Sequence, residues 1–206
     1  MLIKICGMRD ASNVREVAGE RPDYMGFIFY PPSSRDCEGL DPSVVESIPA
    51  GIEPVAVTVN MDESAIMELA GKYGFRTVQL HGDESPALCG RLREKGLTVF
   101  KAVGIKGEES LSSLAHYDDD VDMFVFDTAS AARGGTGRKF DWTLLGAYTG
   151  KVPFLLSGGI GPEDALLLKD MSHPRFAGID LNSRFESAPA IKDVALLRKF
   201  IKKIKI

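Results

Sequence analysis

The residues able to do chemistry in this 206-residue chain stand at the ends of short apolar runs. Cys6 closes the run 2–6, Asn60 closes 54–60, His81 closes 77–81 and Asp127 closes 123–127. Ser157-Gly158-Gly159 ends the run 153–157, Asn182-Ser183-Arg184 follows the run 176–181, and Arg35 stands a few residues beyond 24–30. A cysteine thiolate is a base and a nucleophile, and a carboxyl group gives or takes a proton. Period-two alternation puts Cys6 on one strand face with Lys4 and Leu2, and Asp127 on one face with Val125 and Met123. If both faces look into a common cavity, thiol and carboxyl form an acid–base pair. A lone cysteine at a strand end is ordinarily a small buried hydrophobe, and an aspartate before Thr128 can simply cap a loop. The weight comes from the pattern, because most run ends carry a polar or reactive group. Cys37 and Cys89 fall outside that pattern.

The glycines suggest an anion. Ser157-Gly158-Gly159-Ile160-Gly161-Pro162 follows a strand and opens a helix, so bare backbone N–H groups meet a helix N-terminus. Asn182, Ser183 and Arg184 supply donors from the next strand end. Arg133-Gly134-Gly135-Thr136-Gly137 follows the sixth run, beside Asp127, and reads as a lid, with Gly135 among the positions expected to touch substrate. His81 is expected to touch substrate rather than to catalyse.

Eight runs supply the strands that must position these groups: 2–6, 24–30, 54–60, 77–81, 98–103, 123–127, 153–157 and 176–181. Helix signals alternate with them: Asp10 before 11–18, Asp62 before 63–73 with Gly74 after it, Asp83-Glu84-Ser85-Pro86 opening a run that ends at Gly96, Asp141, Pro162, and an amphipathic tail over 191–206. Strand and helix in alternation imply a parallel sheet. Eight units predict a closed (β/α)8 TIM barrel occupying 1–206 as one domain, although an open doubly wound sheet would give a similar pattern. Such barrels usually run to about 250 residues, so this one is near minimal.

Composition narrows the function. The chain is 44% hydrophobic and 26% charged, with a net charge of −4, which speaks against a nucleic-acid or anionic-membrane partner. The N-terminus lacks a signal-type apolar stretch, and no window reaches the roughly 20 apolar residues of a membrane helix. Three widely spaced cysteines fit a reducing, cytoplasmic location. The three histidines are too few and too scattered to suggest a metal centre. The expected partner is one small phosphorylated substrate, for a monomer or homodimer.

Several segments resemble one family: KICGMRD at 4–10, GFIFYPPSSR at 26–35, VQLHGDE at 78–84, FVFDT at 124–128, GGTGRKFDW at 134–142, FLLSGGIGPED at 154–164, GIDLNSRFE at 178–186 and IKD at 191–193. In this order they resemble the phosphoribosylanthranilate isomerase family of tryptophan biosynthesis. The resemblance implies an Amadori rearrangement of an aminoaldose to an aminoketose, without cofactor or metal. It makes Asp127 the general acid, Cys6 the general base, Arg35 the holder of the anthranilate carboxylate, and the loops after the seventh and eighth strands the phosphate site. One position departs: the family usually has glycine where this chain has Arg184, so Gly158, Gly159 and Ser183 carry the phosphate expectation, and Arg184 either joins them or points to solvent. Lys4, on the Cys6 face, needs a carboxylate partner; Asp180 is the candidate, and Lys4 either lowers the Cys6 pKa or serves only as a structural ion pair.

Overall fold

The apolar runs become eight parallel strands hydrogen-bonded in chain order into a closed barrel, in a computed structural model that describes residues 1–129 and 139–205. They are β1 (Leu2–Cys6), β2 (Tyr24–Phe29), β3 (Glu53–Thr58), β4 (Thr77–Leu80), β5 (Thr98–Ile105), β6 (Met123–Thr128), β7 (Phe154–Leu156) and β8 (Phe176–Leu181), with β8 pairing back to β1. Helices α1 (Ala11–Ala18), α2 (Pro42–Glu46), α3 (Glu63–Tyr73), α4 (Pro86–Glu94), α5 (Glu109–Ser112) and α6 (Ala165–Lys169) lie between successive strands. The closed sheet settles the choice against an open one.

The sequence signals act locally as expected. Asp10, Asp62 and Ser85 each accept a hydrogen bond from the backbone N–H three residues on, which caps α1, α3 and α4. Gly74 closes α3 at φ +73°, a left-handed conformation suited to glycine. Two elements differ from the sequence pattern. Helix α2, only five residues long behind its Asp41 cap, is too short to show a period. The tail is not helical from 191: Ile191–Lys192 form a short strand, β10, antiparallel to β9 (Glu186–Ala188), and α7 begins at Val194 and runs to Lys205.

Alternation sorts each strand into two faces. Ile3, Ile5, Phe27, Phe124, Phe126 and Ile179 point outward into the layer of helices. Phe100, Ala102, Met123, Val125 and Leu155 fill one part of the interior, while Val55 and Val57 pack there with Cys6. Burying each such side chain contributes roughly 1.5–3 kcal/mol, so reversing a face by a one-residue register slip is heavily disfavoured. That fixes which residues look into the barrel at its C-terminal mouth. Among the described residues, no helix is long and apolar enough to cross a membrane.

Candidate active site

Cys6 is the last residue of β1 and points inward, packed against Val55 and Val57. Its β2 partner in register is Gly26. A Cβ at Gly26 would sit 2.7 Å from Cys6 Sγ and 3.2 Å from Lys4 Nζ, so the missing side chain makes room for both thiol and ammonium. Lys4 lies one inward position deeper, fully buried, and its Nζ donates to Asp180 Oδ2 at 2.9 Å. The β1–β8 register that pairs Lys4 with Asp180 dictates this contact. The other oxygen, Asp180 Oδ1, is buried with no hydrogen-bond partner among the described residues.

The electrostatics of this corner are mixed. Burial draws Lys4 toward its neutral form, but Asp180 and Cys6 outweigh it and hold the ammonium above its ordinary range. Burial pushes the Cys6 thiol up; Lys4 and Lys192 pull it back down without overcoming burial. The expected Lys4–Asp180 pair is therefore present and Lys4 does act downward on Cys6. The net Cys6 pKa nevertheless lies above, not below, its usual value, because taking a thiolate out of water costs more than two ammonium groups return.

Across the mouth, Asp127 is inward on β6, in phase with Met123 and Val125. Its Oδ1 accepts the Thr128 N–H at 2.7 Å, and its Oδ2 lies 3.5 Å from His81 Nε2. His81 follows β4, anchored by its N–H to the Thr58 carbonyl at 2.8 Å. The loop that carries it is held from below. Glu84 accepts from the N–H groups of Asn60 and Gly82, both at 2.8 Å, and Lys101 Nζ bridges Glu84 (3.1 Å) to the Leu80 and Gly82 carbonyls.

The loop after β7 crosses directly over this end of β6. Gly158 (φ +84°) and Gly159 (φ +67°) are both left-handed, and a Cβ on Gly158 would lie 2.6 Å from Thr128 N and 2.8 Å from Asp127 Oδ1. Glycine is required there twice over, by conformation and by approach. Asn182 and Ser183 lead into the single helical turn Ser183–Phe185 beyond β8. Arg184 is exposed, and its Nη2 donates to the likewise exposed Glu163 Oε1 at 2.8 Å, tying the β8 loop to the β7 loop. Gly135 and the rest of 130–138 lie outside the described residues.

Arg35 enters from the loop after β2. Its Nε donates to both oxygens of Glu186 (2.9 and 3.1 Å) and its Nη2 to Oε2 at 2.6 Å, a bidentate pair mostly shielded from water. Lys192 Nζ meets the same carboxylate at 2.6 Å. Burial would raise the Glu186 carboxyl, but Arg35 and Lys192 together bring it below the ordinary range. Sequence reasoning assigned no role to Glu186 or Lys192; two opposite charges flanking Pro189 in a short turn were the signal. No group of three or more His, Cys, Asp or Glu side chains among the described residues is arranged to hold a metal ion.

The mouth thus brings together an inward thiol, an inward carboxyl beside a histidine, a guanidinium, and two loops with left-handed or donor-rich backbone. The arrangement can transfer protons on a small anionic substrate. Residues 3–203 match the family described as N-(5'phosphoribosyl)anthranilate (PRA) isomerase. An N-(5'-phosphoribosyl)anthranilate isomerase of Parabacteroides distasonis is 44% identical, the match covering 99% of this chain and 93% of that one. A crystal structure of phosphoribosyl anthranilate isomerase from Thermotoga maritima superposes with a TM-score of 0.84 at 30% identity, over 100% of this chain and 99% of that one. A further phosphoribosyl anthranilate isomerase structure, in complex with reduced 1-(o-carboxyphenylamino)-1-deoxyribulose 5-phosphate, superposes with a TM-score of 0.82 at 28% identity, over 100% and 98% of the two chains.

Proposed function

The chain belongs to the N-(5'-phosphoribosyl)anthranilate isomerase family, and on that premise we propose how its residues carry the reaction. It is an isomerase of tryptophan biosynthesis that rearranges N-(5-phospho-β-D-ribosyl)anthranilate to 1-(2-carboxyphenylamino)-1-deoxy-D-ribulose 5-phosphate. Asp127, as the acid, gives a proton to the ribose ring oxygen while the C1–O bond breaks, and the anthranilate nitrogen lone pair closes a C=N bond to C1. Cys6, as the thiolate base, removes the C2 proton; the C2–H electrons form a C1–C2 double bond and those of the C=N bond return to nitrogen. The resulting enolamine takes a proton at C1 and loses the C2 hydroxyl proton, which gives the ketone. The reaction is redox-neutral within one substrate, and the two side chains account for its proton movements.

In the same reading Arg35 holds the anthranilate carboxylate, His81 contacts the substrate beside Asp127, and Gly158, Gly159, Asn182, Ser183 and Arg184 surround the phosphate. Gly135, outside the described residues, is assigned a substrate contact by the family resemblance alone. The observation that carries the reading is the placement of Cys6 and Asp127, both inward at the mouth of one barrel and on opposite sides of it. The chain acts in the cytoplasm as one barrel domain, monomeric or homodimeric, on a small phosphorylated substrate and without nucleic-acid or membrane partners. The test is freshly prepared phosphoribosylanthranilate mixed with the protein, followed by loss of anthranilate fluorescence. Turnover supports the reading. Tight binding of the reduced product analogue without turnover would make the barrel a silent binding module instead.

A further inference from the structure

The acid–base pair leaves one buried charge cluster without a role, and it lies directly behind Gly7. The Lys192 side chain is wholly buried, and its Nζ donates to Glu186 Oε1 at 2.6 Å and to Asn182 Oδ1 at 2.8 Å. Its backbone is clamped from the other side of the chain: the Asn13 side chain accepts from Lys192 N at 2.7 Å and donates to Lys192 O at 2.9 Å. Lysine is seldom fully buried unless its charge is paired, so these contacts fix a charge at a set point. That point adjoins the general base. Gly7, the residue after Cys6, is left-handed at φ +77°, and a Cβ on it would lie 2.7 Å from Arg35 Cδ, 2.8 Å from Asn182 Oδ1 and 3.4 Å from Lys192 Nζ.

The sum of charges decides what the cluster can do. Arg35 and Glu186 alone would cancel, leaving little attraction for an incoming carboxylate. With Lys192 included there are two cations and one anion, so one positive charge is left beside Gly7. We propose that Lys192 is a positioning residue of the active site: through Glu186 it splints Arg35, and the surplus charge it provides stabilises the Cys6 thiolate and the carboxylate of the substrate. This rests on the reading of Cys6 as base and Arg35 as carboxylate holder. Lys192 lies close enough to lower the Cys6 thiol pKa; burial draws Lys192 itself below its ordinary range, while Glu186 first and Cys6 after it favour its charged form. The other groups facing Cys6 are Lys4 on its own strand, Asp180 on β8, Arg35 from the β2 loop and the Cys37 thiol beyond it, with Asp127 and His81 across the mouth. All of them are unchanged in the variants below.

The experiment is the rate of Cys6 alkylation by iodoacetamide against pH, read by peptide mass, in the wild type and three variants. Cys37 and Cys89 are fully buried with thiols pushed up to about 12 and about 11, so they stay silent in the working range. Lys192→Met cancels the surplus charge and moves the rising limb to higher pH. Glu186→Gln doubles it and moves the limb to lower pH. On the limb each change is worth about tenfold in rate. Lys192→Met/Glu186→Gln restores a single positive charge and returns the limb toward the wild type. Shifts in one common direction, or none, overturn the proposal, since a merely structural role gives no reason for opposite shifts. If Lys192→Met fails to fold, Glu186→Gln still decides: a limb that does not move down overturns it. Alkylation needs no turnover, so this result stands apart from whether the protein isomerises phosphoribosylanthranilate.

Discussion

Replacing Lys4 with methionine tests whether the barrel interior is held by a charge pair, and its cost can be bounded from the structure. The 2.9 Å contact between Lys4 Nζ and Asp180 Oδ2 has a gross attraction of about 6 kcal/mol at an effective dielectric of about 20. Much of that repays desolvation, but removing one partner strands a buried carboxylate, which commonly costs roughly 3–5 kcal/mol. The structure offers one escape: Asp180 can take up a proton. From an unfolded pKa of about 3.9, doing so at pH 7 costs about 4 kcal/mol, and about 1.4 kcal/mol less for each unit the pH falls. Lys4→Met should therefore lose up to about 4 kcal/mol at pH 7, or roughly 8–16 °C in Tm for a chain of this length, and only about 1.5 kcal/mol at pH 5. The sign follows because the folded variant holds a proton that the unfolded chain releases. Lys4→Met/Asp180→Asn, which strands no charge, should recover most of the loss and lose the pH dependence. Urea unfolding of the three proteins at pH 5, 6 and 7 measures all of this. A Lys4→Met penalty that is flat with pH, or no recovery in the double variant, would refute the reasoning.

Three further outcomes are expected. Because burial raises the Cys6 thiol, kcat/KM should climb with pH through the neutral range as the thiolate fraction grows; a profile flat from pH 6 to 9 would contradict a thiolate base. Gly26→Ala puts a methyl 2.7 Å from Cys6 Sγ, and displacing the base by about 1 Å should cost about a hundredfold in kcat while the protein stays folded, measured by the fluorescence assay beside a thermal melt. Arg184→Gly removes a half-exposed ion pair with Glu163 and should change stability by under 1 kcal/mol. It should raise KM and weaken its dependence on salt; an unchanged KM with unchanged salt dependence would mean that Arg184 does not serve the phosphate.

What the sequence revealed was whatever depends on local periodicity. The ends of β1 and β8 were placed to the residue because Gly7 and Asn182 break the apolar runs, and the Asp10 and Asp62 caps each precede an apolar face. The count of eight units suggested a closed barrel without excluding an open sheet, and alternation showed which residues share a face with Cys6 and Asp127 but not that those faces look inward. Lys4 opposite Asp180 needed one inference more, that the first and last strands are neighbours. Helix α2 escaped because five residues do not make a period. The β9–β10 hairpin escaped because Ile191 shares an apolar spacing with α7, and only long-range contacts, Asn13 clamping Lys192 from the far end of the chain, hold it extended. Glu186 and Lys192 showed in the sequence only as opposite charges flanking Pro189, and their place in the site was not legible because their partners Arg35 and Gly7 are about 150 and 185 positions away. The Cys6 pKa went the other way from expectation since burial, unlike a neighbouring lysine, cannot be read from spacing.

The account stands most directly on two side chains acting in one reaction. With freshly prepared phosphoribosylanthranilate, kcat/KM should be measured for the wild type, Cys6→Ser and Asp127→Asn, each shown by a thermal melt to be folded. The account predicts a loss of about a hundredfold or more in each variant, the usual range for removing a positioned general acid or base, with binding of the reduced product analogue retained. Wild-type turnover in either variant, under the same conditions, would contradict it.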